Sequence, residues 1–298
     1  MTKLHSIYGS LVALITPFRK DHSIDIETYE KLINFHIQAK TQAIVIGGTT
    51  GEGASLTKIE LEVLINTAKQ IIKDANKHKP LLILGLASNS THKAVKRLEE
   101  FKKFEPDAVM VLSPYYNKPP QDGIFRHFAE LNLVGVPLIV YNCPGRTASN
   151  IEAETTLKMA TEIENVVAIK EASGNLDQIR KILKNKPKDF LVFSGDDSIS
   201  YELLEDGIQG TISVFANQYP KEFQQMFNHF KAGKKEAAHK IHHQYLELME
   251  ANFYESNPIP VKTYMQIQGL IPEDHFRLPL VNAKPETYIK LEEIYNSL

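Results

Sequence analysis

The 298 residues carry 34 basic and 36 acidic side chains, a formal net charge of −2, 43% hydrophobic residues and a single cysteine. This near-neutral balance lacks the basic footprint of a nucleic-acid binder. A lone Cys143 excludes an internal disulfide framework. The apolar run at 11–15 is too short for a signal-peptide core or a membrane span, so the sequence predicts a cytoplasmic globular protein without a membrane partner.

Strand and helix patterns alternate from the N-terminus onward. A strand is predicted over 10–17, then a helix over 25–40 with Tyr29, Leu32, Ile33 and His36 on one face. The strand at 42–48 leads to a helix over 57–76, where Thr57 and Glu60 are spaced as a capping box. Next come a strand at 80–86 and a helix at 91–104, a strand at 108–114 and a helix at 121–133. The series continues with strands at 137–143, 166–172, 190–196 and 210–217 and intervening helices at 151–161, 175–184 and 198–205. Val, Ile and Leu at consecutive positions mark strands covered on both faces, as in a parallel sheet. Eight such units favour a closed α/β barrel, the (β/α)8 TIM barrel, over an open doubly wound sheet. No G-x-G-x-x-G follows the first strand, and the glycine-rich stretch after the second lacks a Walker lysine. After the last strand only helices are predicted, over 221–232, 234–251, 258–268 and 284–297. The expected division is therefore a barrel over 1–225 and a C-terminal helical region over 226–298 packed on it.

Active sites of such barrels lie at the C-terminal ends of the strands. Lys170 falls there, on the strand face of Val166 and Ala168. A lysine facing the interior must be paired or lose its proton, and a neutral lysine suits Schiff-base chemistry. An isolated strand-end lysine more often reaches solvent, but here hydroxyls crowd the same rim. Tyr141 ends the neighbouring strand and is placed to shuttle protons, against a plain packed aromatic. Thr49 and Thr50, between glycines, are suited to a carboxylate or a relay, against a self-satisfied turn. Arg146 offers a planar fork for a carboxylate, against a surface salt bridge. His239, His242 and His243 share helical spacing but sit among charges and read as a solvated face rather than a metal site. The Asp196–Asp197 pair is too small a donor set for Mg²⁺, and Cys143 reads as a buried thiol.

Several segments together resemble one family: Gly48-Thr49-Thr50-Gly51-Glu52, Pro114-Tyr115-Tyr116-Asn117-Lys118-Pro119, Tyr141-Asn142-Cys143-Pro144-Gly145-Arg146-Thr147 and Ile169-Lys170-Glu171-Ala172. Ser194-Gly195-Asp196-Asp197, Gly210-Thr211-Ile212-Ser213-Val214 and Asn257-Pro258-Ile259-Pro260-Val261-Lys262 follow in order. The chain thereby resembles the pyruvate-dependent aldolases that include 4-hydroxy-tetrahydrodipicolinate synthase and N-acetylneuraminate lyase. Arg146 and the 257–262 segment are similar to the synthase branch. The resemblance implies that Lys170 forms an imine with pyruvate and that Tyr141 moves protons. It implies that Thr50, adjoined by Thr49, holds the pyruvate carboxylate and relays protons with Tyr141 and Tyr116. Tyr116 would reach into a neighbouring subunit, Arg146 would bind the carboxylate of L-aspartate-4-semialdehyde, and Gly195 and Ile212 would line the pyruvate pocket. It further implies no metal or organic cofactor, a homotetramer built as a dimer of tight dimers, and a place in diaminopimelate and lysine synthesis. Where lysine-inhibited relatives carry histidines and a glutamate, Lys58, Leu61 and Lys93 stand here, which implies weak or absent lysine feedback. The alternatives are a sugar-acid lyase or 2-keto-3-deoxy sugar acid aldolase and, in a different class, a non-catalytic keto-acid sensor.

Overall fold

The computed structural model describes residues 2–76 and 78–298; Met1 and Lys77, both inside the predicted barrel range, lie outside the described residues. In chain order the described residues form a 3-10 turn (Lys3–Ser6), β1 (Gly9–Ala13), α1 (Ile26–Gln38), β2 (Ala43–Ile46), α2 (Lys58–Asp74), β3 (Leu81–Leu86), α3 (Thr91–Lys102) and β4 (Ala108–Leu112). Then come α4 (Gln121–Asn132), β5 (Leu138–Asn142), a single turn α5 (Pro144–Thr147), α6 (Ala153–Glu162), β6 (Val166–Glu171), α7 (Leu176–Asn185), β7 (Leu191–Ser194) and α8 (Ser200–Asp206). The chain finishes with β8 (Gly210–Ser213), a 3-10 turn (Phe215–Asn217), α9 (Pro220–Lys231), α10 (Lys235–Ala251), α11 (Ile259–Ile267) and α12 (Pro285–Ser297).

The strands close in sequence order into one barrel, β1 through β8, followed by helices, as the alternation predicts. The reason is visible strand by strand. All residues of β1, β2 and β5 are buried, so each strand is covered on both faces and requires a parallel neighbour and a helix. The helix starts are equally local. Thr57 accepts from the Glu60 backbone at 3.2 Å while the Glu60 carboxylate accepts from the Thr57 backbone at 2.8 Å, completing the predicted capping box of α2.

Two compact units make up the chain. One, Met1–Tyr8 with Leu81–Ile212, contains β3 to β7 in continuous parallel register, with Val109 beside Leu138 and Tyr141 beside Lys170. The other, Gly9–Pro80 with Ser213–Leu298, pairs β1 with β2 and holds an aromatic cluster in which Phe215 stacks on Tyr219 and meets Phe223 edge-on.

Three local departures from the predicted elements have side-chain causes. β8 stops at Ser213 because the Ser213 hydroxyl accepts from the Ala216 backbone at 2.7 Å and Asn217 bonds Ile15 and Ala13, which together wind a 3-10 turn. β7 stops at Ser194, whose hydroxyl accepts from the Asp196 backbone. The stretch after β5 is helical because Pro144 opens a turn with its fixed φ. Among the described residues, no helix is long and apolar enough to cross a membrane.

Candidate active site

Lys170 and Tyr141 occupy directly paired positions on β6 and β5. The lysine is only 5% exposed, and its Nζ lies 4.5 Å from the centroid of the Tyr141 ring. Burial strips water from the ammonium and lowers its pKa from an ordinary 10.5 to about 8. Electrostatic interaction with Cys143 and Asp197 opposes that shift, and the Arg146 guanidinium assists it. The amine is thus held neutral more readily than a surface lysine, which is what attack on a carbonyl requires.

Gly195, at the end of β7, is shaped to this lysine. A Cβ there would stand 2.5 Å from the Ala172 Cβ and 3.0 Å from the Lys170 Cε, so only glycine leaves the lysine arm its space. The Gly195 N–H donates to the Glu171 carbonyl at 2.7 Å and fixes the loop against β6. On the other side of β6 from Lys170, the buried Glu171 carboxylate accepts from Asn142 at 3.0 Å, from the Ser173 backbone at 2.8 Å and from Gln178 at 3.0 Å. These neutral donors hold together the ends of β5 and β6 and the start of α7. Burial raises the Glu171 pKa against their pull.

Arg146 rides on the one-turn helix α5 and is exposed. That turn is fastened by the Thr147 hydroxyl, which reaches the Cys143 carbonyl at 3.0 Å and the Ser149 carbonyl at 2.8 Å, and it ends on Ala148 at φ 55°. The Tyr116 N–H donates to the Thr147 carbonyl at 3.3 Å, joining the loop after β4 to the loop after β5. The Tyr116 ring is 85% exposed, and its backbone has φ 74°.

In the second unit, Thr49 and Thr50 lie on a tightly folded loop after β2. A Cβ at Gly53 would meet the Gly47 carbonyl oxygen at 2.1 Å, and the Thr16 hydroxyl donates to the Gly51 carbonyl at 2.7 Å. Thr49 is half-buried and Thr50 buried. The Thr50 Oγ1 accepts from Asn257 Nδ2 at 3.0 Å. Two residues on, Glu52 forms an ion pair with Lys262 at 2.8 Å, with side-chain exposures of 1% and 0%. Lys262 also lies over the rings of Phe276 and Phe18. Burial lowers its pKa, and the Glu52 charge opposes that shift.

The structure thus brings Lys170, Tyr141 and Gly195 together, with Arg146 near enough to act on the lysine's charge. Ile212 is buried in β8, and the ring of Tyr116 points to solvent. Lys58 and Lys93 are exposed, whereas Leu61 is buried on the inner face of α2. Of the three clustered histidines, His239 and His243 are solvated, but His242 is buried because it falls on the face of α10 with Tyr245 and Met249. Asp197, weighed in the sequence only as a metal ligand, is a buried countercharge to Lys170, and the buried Cys143 thiol lies within electrostatic reach of the same amine. The contacts of Asn257 and Lys262 to the β2 loop had one sequence signal, the 257–262 motif, which carried no role.

The sequence matches the model of the Dihydrodipicolinate synthetase family over residues 6–298. The chain belongs to this family. A 4-hydroxy-tetrahydrodipicolinate synthase of Chlorobium phaeobacteroides is 41% identical over 291 residues, which cover 97% of this chain and 96% of the relative. The family's dihydrodipicolinate synthase from Thermotoga maritima has a TM-score of 0.93 at 35% identity, covering 98% of both chains. A monomeric dihydrodipicolinate synthase variant has the same TM-score at 34% identity, covering 98% of this chain and 96% of its own. Family, enzyme class and barrel therefore agree with the sequence resemblance.

Proposed function

We infer that this family member condenses pyruvate with L-aspartate-4-semialdehyde to 4-hydroxy-tetrahydrodipicolinate, through an imine on Lys170. The observation that carries this reading is the buried Lys170 amine, lowered to about 8 and packed on the Tyr141 ring. Neutral Lys170 attacks the ketone carbon of pyruvate, and loss of water gives a protonated imine. The imine accepts the electron pair left when a methyl proton departs, which forms an enamine. The enamine carbon attacks the aldehyde carbon of the second substrate. That substrate's amine then closes the ring on the imine carbon and expels the lysine amine. Because the imine is the electron sink, the chemistry calls for no metal or organic cofactor.

Tyr141 moves protons during imine formation and donates to the aldehyde oxygen. Thr50, with Thr49 beside it, holds the pyruvate carboxylate and completes a relay with Tyr141 and Tyr116. Gly195 and Ile212 line the pyruvate pocket, and Arg146 takes the carboxylate of the aldehyde substrate. The outward-facing Tyr116 ring supports a tyrosine that enters a neighbouring subunit, in a homotetramer made of two tight dimers. The reaction runs in the cytoplasm and opens the diaminopimelate and lysine route.

The test offers the purified protein pyruvate with aspartate semialdehyde and, separately, N-acetylneuraminate and 2-keto-3-deoxygluconate, with products identified by mass spectrometry. Turnover of the first mixture alone is expected. Cleavage of a sugar acid would overturn the assignment of Arg146, and an absence of any turnover would favour a keto-acid sensor.

A further inference from the structure

The segment that opens α11 touches the β2 loop at two points, and both contacts are buried. Asn257 Nδ2 donates to Thr50 Oγ1 at 3.0 Å, and Lys262 Nζ donates to Glu52 Oε1 at 2.8 Å. The contacts are five residues apart on one side and two on the other. They therefore tie the donor segment to the loop at two points, so its backbone cannot shift away from the Thr50 hydroxyl without disturbing a buried ion pair.

A threonine hydroxyl has one proton to donate and two lone pairs to accept with. With one lone pair taken up by an amide N–H, its proton is directed elsewhere. We propose that Asn257 is a positioning residue that holds the Thr50 hydroxyl as a hydrogen-bond donor toward an anionic substrate group. The inference rests on the reading that Thr50 binds the pyruvate carboxylate, a group that can only accept. Without Asn257 the hydroxyl rotates freely and spends part of its time presenting lone pairs to that anion. With aspartate in its place, an acceptor would draw the Thr50 proton away from the substrate altogether. The C-terminal helical region thereby contributes to pyruvate recognition without touching the substrate.

The experiment measures kcat/KM for pyruvate and KM for aspartate semialdehyde in Asn257→Ala, Asn257→Asp, Thr50→Val and the Thr50→Val/Asn257→Ala pair, with circular dichroism to check the fold. Asn257→Ala is expected to lose about tenfold in kcat/KM for pyruvate, the scale of a hydrogen bond to a charged group, and to leave KM for the aldehyde within about twofold. Asn257→Asp, which keeps the size of the side chain, is expected to lose more than Asn257→Ala. If Asn257→Ala does not fold, the isosteric aspartate variant carries the comparison. In the Thr50→Val background, removing Asn257 is expected to cost nothing further, because the group it orients is gone. An equal loss in both backgrounds, or an aspartate variant as active as the parent, overturns the positioning role. If Thr50→Val itself leaves kcat/KM for pyruvate unchanged, the assignment of Thr50 fails instead.

Discussion

The pH dependence of imine formation follows directly from the setting of Lys170. Burial lowers its pKa from 10.5 to about 8. At pH 7 roughly one amine in ten is then neutral, against about one in 3,000 for an ordinary lysine, a gain of about 300-fold in reactive species. The sign is fixed by the nucleophile being the unprotonated form. The kcat/KM for pyruvate should rise about tenfold per pH unit in the acid range, reach half its maximum near pH 8 and flatten above it. Folding stability follows the same sign. The folded state binds the lysine proton less tightly than the unfolded state, so this group costs about 3 kcal/mol at neutral pH. That cost fades as pH rises from about 8 toward 10.5. Initial rates at subsaturating pyruvate across this range, alongside borohydride trapping rates, measure the profile. A half-maximum near the ordinary lysine value, or a flat profile through neutrality, would refute the claim that desolvation prepares the amine.

Other consequences are equally specific. Gly195→Ala places a methyl 2.5 Å from the Ala172 Cβ and 3.0 Å from the Lys170 Cε, an overpacking that should cost about 1–3 kcal/mol and slow trapping of pyruvate; unchanged melting and trapping would contradict it. Lys262→Met strands the Glu52 carboxylate in a buried site and should cost about 3–5 kcal/mol in denaturant unfolding, with much of it recovered in Glu52→Gln/Lys262→Met. Arg146→Ala should raise KM for aspartate semialdehyde about tenfold or more while pyruvate trapping stays within about twofold; equal loss for both substrates would remove Arg146 from specificity. With Lys58, Leu61 and Lys93 at the positions that the resemblance assigns to lysine binding, steady-state rates should respond weakly or not at all to added lysine, and half-inhibition at sub-millimolar lysine would contradict this.

Residues whose environment is set by their own strand or helix were legible in the sequence. Lys170 stands at the end of a continuous apolar run, and strand order alone put Tyr141 beside it. Thr57 and Glu60 declare a helix start within four residues. Legibility ended where partners are distant in the chain. Thr50 and Asn257 are 207 residues apart, and Glu52 and Lys262 are 210 apart, so no periodicity or local spacing links them. The sequence predicts a strand as far as residue 217 because Val214 and Phe215 continue an apolar run, whereas Asn217 ties the backbone into a turn through contacts to residues 13 and 15. His242 is buried although its neighbours Lys240 and His243 are exposed, because it shares a face of α10 with Ala238, Tyr245 and Met249.

The proposed reaction depends on one covalent bond, between the Lys170 amine and the ketone carbon of pyruvate. The direct measurement is borohydride reduction of the protein with pyruvate, followed by mass mapping of the modified peptide. A single adduct on Lys170 that disappears in Lys170→Ala is the predicted result. An adduct on another residue, or one that persists in Lys170→Ala, would contradict the account at its centre.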